Sequence, residues 1–580
     1  MAVAVTMARM KLAILRHSLK GDKGTMMASG GTLGLVLAAG TIYLAFLEGD
    51  WLAAALAVWM LGWIIGPVFS GGGDETLRPE FFSLMGLPPW RLAAALLVSA
   101  FVGVAPVVGL IALAGLVVAA TSPVNALVAL PAMVLQLAVF VLLSKVAVAL
   151  LGIALRSRAG AIGAGLLNGV VLAFLGQAWV FAVAFGQGAQ IPEFVRYLPS
   201  GWGLLAVQGD YLALAAMVVL IALLLAMWAG LLTRRAGANR PSTRGRRPMR
   251  ARNGREAVVA KELRTWSRDL VRNHQLTFAL AYGVFFASAP LVLGWTDMLP
   301  WAAPIFIVMA AAMTSNLYGT DGTSLWLALM TPGSSDVRGR QLAWLVTVGP
   351  VAVLVAVACT LITGGPWAVI LTATAALLGG GAGLVPLISV YALVPSTDPQ
   401  KRGGNPLRTS EEDGALTGLA YLAMVLVAVT GAPAIAVATL YGWWGVAAGL
   451  ATGALCYWGL GLLADRRLTA RGPELLHLMR TGRRPESPKP SAFKLPDMPA
   501  AHRTIVMICW VLGAIPLFPQ GVVAAIMVSN GQLRHSWFLA TYMEPGLRWP
   551  VAIGFVLLGL TMYGTGLWLP HRAKKKAAAG

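Results

Sequence analysis

Apolar stretches of about 18 residues or more recur along this 580-residue chain, separated by short polar or basic breaks. Such a run is long enough to cross the ~30 Å hydrocarbon core as a helix, and a helix satisfies its own backbone hydrogen bonds in lipid where an open strand cannot. The pattern predicts about fourteen spans: residues 28–47, 51–69, 92–113, 124–148, 161–185 and 212–232, then 276–293, 299–317, 342–362, 367–394, 416–437 and 443–463, and finally 505–528 and 551–569. Residues 430–444 leave room for a re-entrant turn. The expected fold class is an all-α polytopic membrane protein.

The breaks repeat. Before the first span, Ala8, Leu12, Leu15 and Leu19 have helical spacing, with Arg9, Lys11, Arg16 and Lys20 on the other faces. Before the seventh, Val259, Leu263, Trp266 and Leu270 have the same spacing, flanked by Lys261, Arg264, Arg268 and Arg272. Both read as basic amphipathic helices suited to a headgroup layer. After the second span comes GGGDETLRPEFFSLMGLPPWR (residues 71–91), and after the eighth GTDGTSLWLALMTPGSSDVRGR (residues 319–340). Asp74 and Thr76 match Asp321 and Thr323, Leu84 and Met85 match Leu329 and Met330, and Arg91 matches Arg340. The expected organisation is two parallel six-helix halves, residues 1–235 and 254–465, joined by a basic linker at 236–253. A basic segment, 466–504, and two further spans with a basic tail, 505–580, follow.

Charge gives the orientation. Only 12% of residues are charged and 58% are hydrophobic, with a mean hydropathy of +0.75. The net charge of +21 sits in alternate loops, which argues for the positive-inside pattern of a membrane protein rather than nucleic-acid binding. Both termini and the basic loops are then cytoplasmic. The composition suggests a bacterial cytoplasmic (inner) membrane. A cleaved signal peptide is the competing reading of the N-terminus, but its basic region would be long and no small-residue cleavage site closes the first apolar run.

Catalytic chemistry is sparse. Cys359, Cys456 and Cys509 all lie in apolar runs without metal-site spacing, and the histidines are scattered. No phosphate loop, HExxH or GxSxG occurs. The acid cluster at 410–414 reads as a solvated loop. Within the spans, Lys145 is either a functional intramembrane charge or a lysine snorkelling along its own stem. Asn168 and Gln177 either face a translocation path or bond a neighbouring helix.

With these features in place, each half resembles a permease domain of ATP-binding-cassette (ABC) exporters of the type-2, or ABCG-like, architecture. That family has an amphipathic connecting helix before six spans, a short coupling helix after the second span, and often a helical outer segment between the fifth and sixth. Here the outer segment would be IPEFVRYLPSGWGLLAVQGDY (residues 191–211), whose LPSGW is similar to a motif of bacterial members. The second half leaves little chain for such a segment. The resemblance implies an exporter subunit, without its own nucleotide-binding domain, moving a small-molecule, lipid or peptide substrate of hydrophobic character. It implies no cofactor in this chain. ATP and Mg would be bound by two partner ATPase subunits, as a homodimer. The first coupling helix would present Asp74, Glu75, Glu80, Phe81, Phe82, Leu84 and Met85, the acids meeting basic residues of the partner. The second would present Asp321, Trp326, Leu327, Leu329 and Met330. Lys145, Asn168 and Gln177 are the candidates for the path.

Two rivals stand. A major-facilitator-type secondary transporter also has two parallel six-span halves, and GLLADRRLTARG (residues 461–472) resembles that family's loop motif, but it follows the twelfth span instead of the second. A membrane enzyme or scaffold is the third class, disfavoured by the absence of an acidic or histidine cluster at the membrane interface.

Overall fold

The computed structural model describes the chain apart from residues 1, 19–21, 48–49, 70–87, 155–156, 179, 181–190, 238–248, 332–334, 396–412, 482–497, 514, 530, 532–537 and 580. Every regular element among the described residues is helical. They form two compact units: Met1–Gln177 with Ile191–Pro485, and Ala178–Gln190 with Glu486–Gly580.

The first part of the larger unit contains α1 (Ala2–Ser18), α2 (Asp22–Leu44), α3 (Trp51–Phe69), α4 (Pro89–Ala100), α5 (Val104–Leu113), α6 (Gly115–Val118), α7 (Pro123–Ala154), α8 (Arg158–Gly176), α9 (Phe194–Tyr197), α10 (Trp202–Val207) and α11 (Leu212–Gly237). The second part contains α12 (Gly254–Arg268), α13 (Leu270–Ser288), α14 (Ala302–Met313), α15 (Leu325–Met330), α16 (Asp336–Thr363), α17 (Trp367–Tyr391), α18 (Asp413–Tyr441) and α19 (Trp444–Thr481).

Among the described residues, nine helices are long and apolar enough to cross a membrane, or ten if Arg91–Ala100 and Val104–Val118, bent by 72°, form one span. The chain is therefore a polytopic helical membrane protein. The other four expected stations carry shorter apolar helices: Gly30–Leu44, Trp51–Gly66, Leu299–Met313 and Pro516–Ser529.

Several boundaries differ from the expected ones for local reasons. The third station breaks after α4 because Pro106, in the first turn of α5, has no N–H to give and its ring would clash with the carbonyl four residues back. The fifth begins at Arg158, where Ser157 accepts from the Gly160 N–H at 3.0 Å, and α8 ends at Gly176; most of the expected remainder to 185 lies outside the described residues. The ninth starts six residues early, at Asp336, after Ser335 in the left-handed region (φ 51°). α18 is unbroken to Tyr441, with no re-entrant turn, and Gly442 (φ 60°) reverses the chain into α19. α19 continues helical to Thr481, past the expected end of the second half, with a kink at Arg471 (φ −123°, ψ 17°) two residues before Pro473.

The described helices pair in a recurring way. α1 lies on α4 and α12 on α16; α3 meets α7 and α14 meets α17; α7 meets α11 and α17 meets α19. Two seams have no room for side chains. A methyl on Gly379 of α17 would strike the Gly453 backbone of α19, and one on Gly169 of α8 would strike the Phe278 carbonyl of α13. Such small-residue contacts let helix backbones approach closely in lipid.

α8 contributes no residue to the two large cores of the first part, which draw on α1, α3, α4, α5, α6, α7, α10 and α11. Its Leu172 packs instead against the core of the second part, around Phe278, Phe306, Trp344 and Val385.

The smaller unit holds α20 (Ala500–Leu512), a π-helical stretch Pro516–Val523, α21 (Ala524–Ser529), α22 (Leu539–Tyr542) and α23 (Pro545–Ala579). The thirteenth expected span is thus a broken helix. Gln520 accepts from the Leu539 N–H at 3.0 Å, and Ala524, Met527, Phe538 and Ala552 form a small core.

Candidate functional site

The most organised polar site lies where α12, α13, α16 and the turn after α14 converge. Each element is set by local chemistry. Asn253 caps α12 by accepting from the Glu256 N–H at 2.8 Å, while Glu256 reaches back to the Arg252 N–H at 2.7 Å, a reciprocal cap. Asp269 ends α12 and caps α13 by accepting from the Val271 N–H at 2.9 Å. After α14 the chain makes a 3-10 turn, Gly319–Ser324, in which Gly322 takes φ 60°. These devices bring Lys261, Glu262, Arg272, Tyr318, Asp321, Asp336 and Arg340 together.

Arg340 is the centre, its side chain fully buried. Its Nη1 is 3.0 Å from Glu262 Oε1 and its Nε donates to Asp336 Oδ2 at 2.8 Å. Its Nη2 pairs with Asp321 Oδ2, and its guanidinium lies 4.2 Å over the Tyr318 ring. Arg272 pairs with Glu262 Oε2 at 2.8 Å and donates to Thr320 Oγ1 at 3.0 Å. Lys261 reaches Asp321 Oδ2 at 3.0 Å.

Three cations face three carboxylates, so this hub is neutral as a whole. Buried charge is tolerated only when paired in this way. Burial alone would raise the Glu262 pKa, but Arg340 and Arg272 outweigh it and hold the carboxyl below its ordinary value. For Asp321, burial is likewise overcome by Arg340 and Lys261, and its pKa falls to about 2. Burial and the neighbouring Asp336 push the Tyr318 phenol well above its ordinary value.

α15 sits beside the hub. Leu325 is fully buried, and Leu329 packs on Gly472 of the α19 extension. Trp326 (49% exposed), Leu327 (52%) and Met330 (72%) lie uncovered on one face. Of the residues expected on the second coupling helix, Trp326, Leu327 and Met330 are thus free, Leu329 anchors the helix, and Asp321 is spent inside the chain. Asp74, Glu75, Glu80, Phe81, Phe82, Leu84 and Met85 lie outside the described residues.

Lys145 is half-buried within α7. Asn168 and Gln177 bond a neighbouring helix. The Asn168 amide lies 3.1 Å from His274 Nε2, and Gln177 donates to the Phe286 carbonyl at 2.9 Å, both on α13.

The segment expected on the outer side, residues 191–211, is pinned by a residue of α7. Gln136, fully buried in α7, donates to the Pro199 carbonyl at 2.8 Å and accepts from the Gly203 N–H at 3.0 Å. Arg196 pairs with Asp50, and Tyr211 donates to Asn125 at 2.8 Å. In the second part, α18 and α19 are joined by the turn at Gly442 alone, with no outer helix.

The buried faces of the two amphipathic helices combine expected and unexpected residues. On α1, Met7 and Lys11 are buried while Leu12 is exposed. On α12, Glu262 and Trp266 are buried, and Arg272, expected on the polar flank, is buried at the start of α13.

Among the described residues, no group of three or more His, Cys, Asp or Glu side chains is placed to hold a metal ion. No family model, no curated protein and no solved structure matches this chain.

Proposed function

We propose that this chain is the permease subunit of an ABC exporter, driven by separately encoded ATPase subunits that dock on short helices at the inner ends of its spans. One observation carries the reading: an exposed apolar helix, α15, is mounted through the buried Arg340 hub on the ends of three longer helices. A docking helix that passes on a partner's motion needs a rigid base, and the hub supplies one by joining α12, α13, α16 and the turn into α15. The recurring pairings of α1 with α4, α12 with α16, and α7 and α17 with α11 and α19 support two parallel six-span halves, with fourteen spans in all. The outer segment held by Gln136 supports the same architecture in the first half. The basic loops support both termini on the cytoplasmic side. The substrate would be hydrophobic or amphipathic, since the described spans offer few fixed charges.

The test is co-expression with candidate ABC ATPases followed by pull-down. Wild-type chain is expected to retain an ATPase and stimulate its ATP hydrolysis, and Trp326→Ala/Met330→Ala to lose both while still inserting in the membrane. A chain that captures no ATPase and supports transport following the proton gradient alone overturns the proposal in favour of a secondary transporter.

A further inference from the structure

We infer that the partner surface receiving α15 is an apolar cleft with an acidic rim, on a water-soluble subunit. The inference rests on the docking reading above and adds the chemistry of the partner.

Trp326, Leu327 and Met330 form an uncovered apolar face on α15. A bilayer surface is one way to cover such a face, but the position of α15 argues against it. Leu329 packs on Gly472, which lies eight residues beyond Ala464, the last residue before the Asp465-Arg466-Arg467 triplet, or roughly 12 Å farther along the helix. The buried side of α15 packs at the end of the apolar part of α19, where Leu325 shares a core with Ala464 and Leu468, and its Leu329 reaches beyond that end to Gly472, which leaves the uncovered side where a soluble protein can reach it.

The charge around it gives the sign of the partner. α15 has no charged residue, and the one acid of the preceding turn, Asp321, is consumed by Arg340 and Lys261. The α19 extension holding α15 in place carries Arg466, Arg467, Arg471 and Arg480 against Asp465 and Glu474. Arg480 is exposed and directly follows Leu478 and Met479, which pack in one core with Leu325 and Leu329. Lys261, on the other side, is paired with Asp321 and adds no net charge. A basic flank beside an apolar tip is complemented by acids beside an apolar cleft. This reverses the polarity expected of a coupling segment that presents acids to a basic partner.

Two measurements on the full chain in lipid nanodiscs test this. A nitroxide on Met330→Cys is expected to be quenched by a water-soluble nickel chelate. Preferential quenching by oxygen dissolved in an anionic bilayer would make the membrane the occupant and overturn the inference. Next, the ATPase captured in the pull-down above is titrated against wild type and Arg471→Glu/Arg480→Glu. A loss of capture of tenfold or more, with a similar weakening of wild type on raising salt, supports the acidic rim. Unchanged or tighter capture by the charge-reversed chain, with Trp326→Ala still defective, overturns the rim and leaves the docking reading standing. Failure of wild type to capture any ATPase removes the docking reading, and the inference falls with it.

Discussion

Arg340 and Tyr318 share one carboxylate oxygen. Asp336 Oδ2 accepts the Arg340 Nε at 2.8 Å and the Tyr318 hydroxyl at 2.7 Å, while the guanidinium lies 4.2 Å over the phenol ring. Removing the hydroxyl and removing the guanidinium should therefore have unequal effects. Tyr318→Phe keeps the ring and loses one hydrogen bond to a charged group, about 1.5–3 kcal/mol. Arg340→Met leaves Glu262, Asp321 and Asp336 short of a cation, about 3–5 kcal/mol. Thermal unfolding in detergent should rank Arg340→Met well below Tyr318→Phe. Equal melting temperatures would mean that Arg340 does not hold the hub.

The hub also sets a pH dependence. The folded-state pKa of Asp321, about 2, is below its ordinary 3.8. Its contribution, on the order of 2 kcal/mol, is present above pH ~4 and is lost as pH falls through about 2. Wild type should lose melting temperature over that window, and Asp321→Asn should start lower and fall less steeply. Parallel curves would refute the assignment.

The seam between α8 and α13 should hold the two halves together without the linker. With a protease site inserted within residues 238–248, the cleaved wild-type halves should co-purify. Gly169→Leu, which drives a side chain into the Phe278 carbonyl, should release them. Asn168→Leu, which loses the contact with His274, should cost about 1 kcal/mol and weaken retention without abolishing it.

Gln136 should control the order of the outer segment. Gln136→Leu leaves the Pro199 carbonyl and the Gly203 N–H without their partner, a cost of about 1–3 kcal/mol. Hydrogen exchange of the amides from Gly201 to Leu205 should speed up at least tenfold, with the amides of α7 unchanged.

The long apolar helices were legible because hydropathy is a property of the chain alone. Their breaks were legible only in part: Pro106 and Ser157 carry local signals, whereas the early start of α16 depends on charges that are apolar-compatible only once paired. Arg340 was visible as the match of Arg91, but its role was not, because its partners come from residues 4 to 78 positions away. The burial of Glu262 on α12 was not legible for the same reason: it sits inside only because Arg272 and Arg340 neutralise it. At the matching position in α1 the chain has Lys11, so a duplicated pattern of apolar residues does not imply a duplicated hub. Asn168 and Gln177 were recognisable as exceptional residues in a span; that both bond α13 became visible only with the neighbour in place.

The packing of α8 against α13 has a consequence for biosynthesis. α8 ends at Gly176 and its partner begins at Leu270, so about 90 residues must be translated before the partner starts to emerge. At ~5–20 residues per second that is a wait on the order of 5–20 seconds. During it, the flat glycine surface of α8, with Asn168 at its centre, is held in the bilayer by something other than its final neighbour. A membrane chaperone or insertase that shelters a polar, small-residue helix face is the kind of factor this chain would need while it is being made.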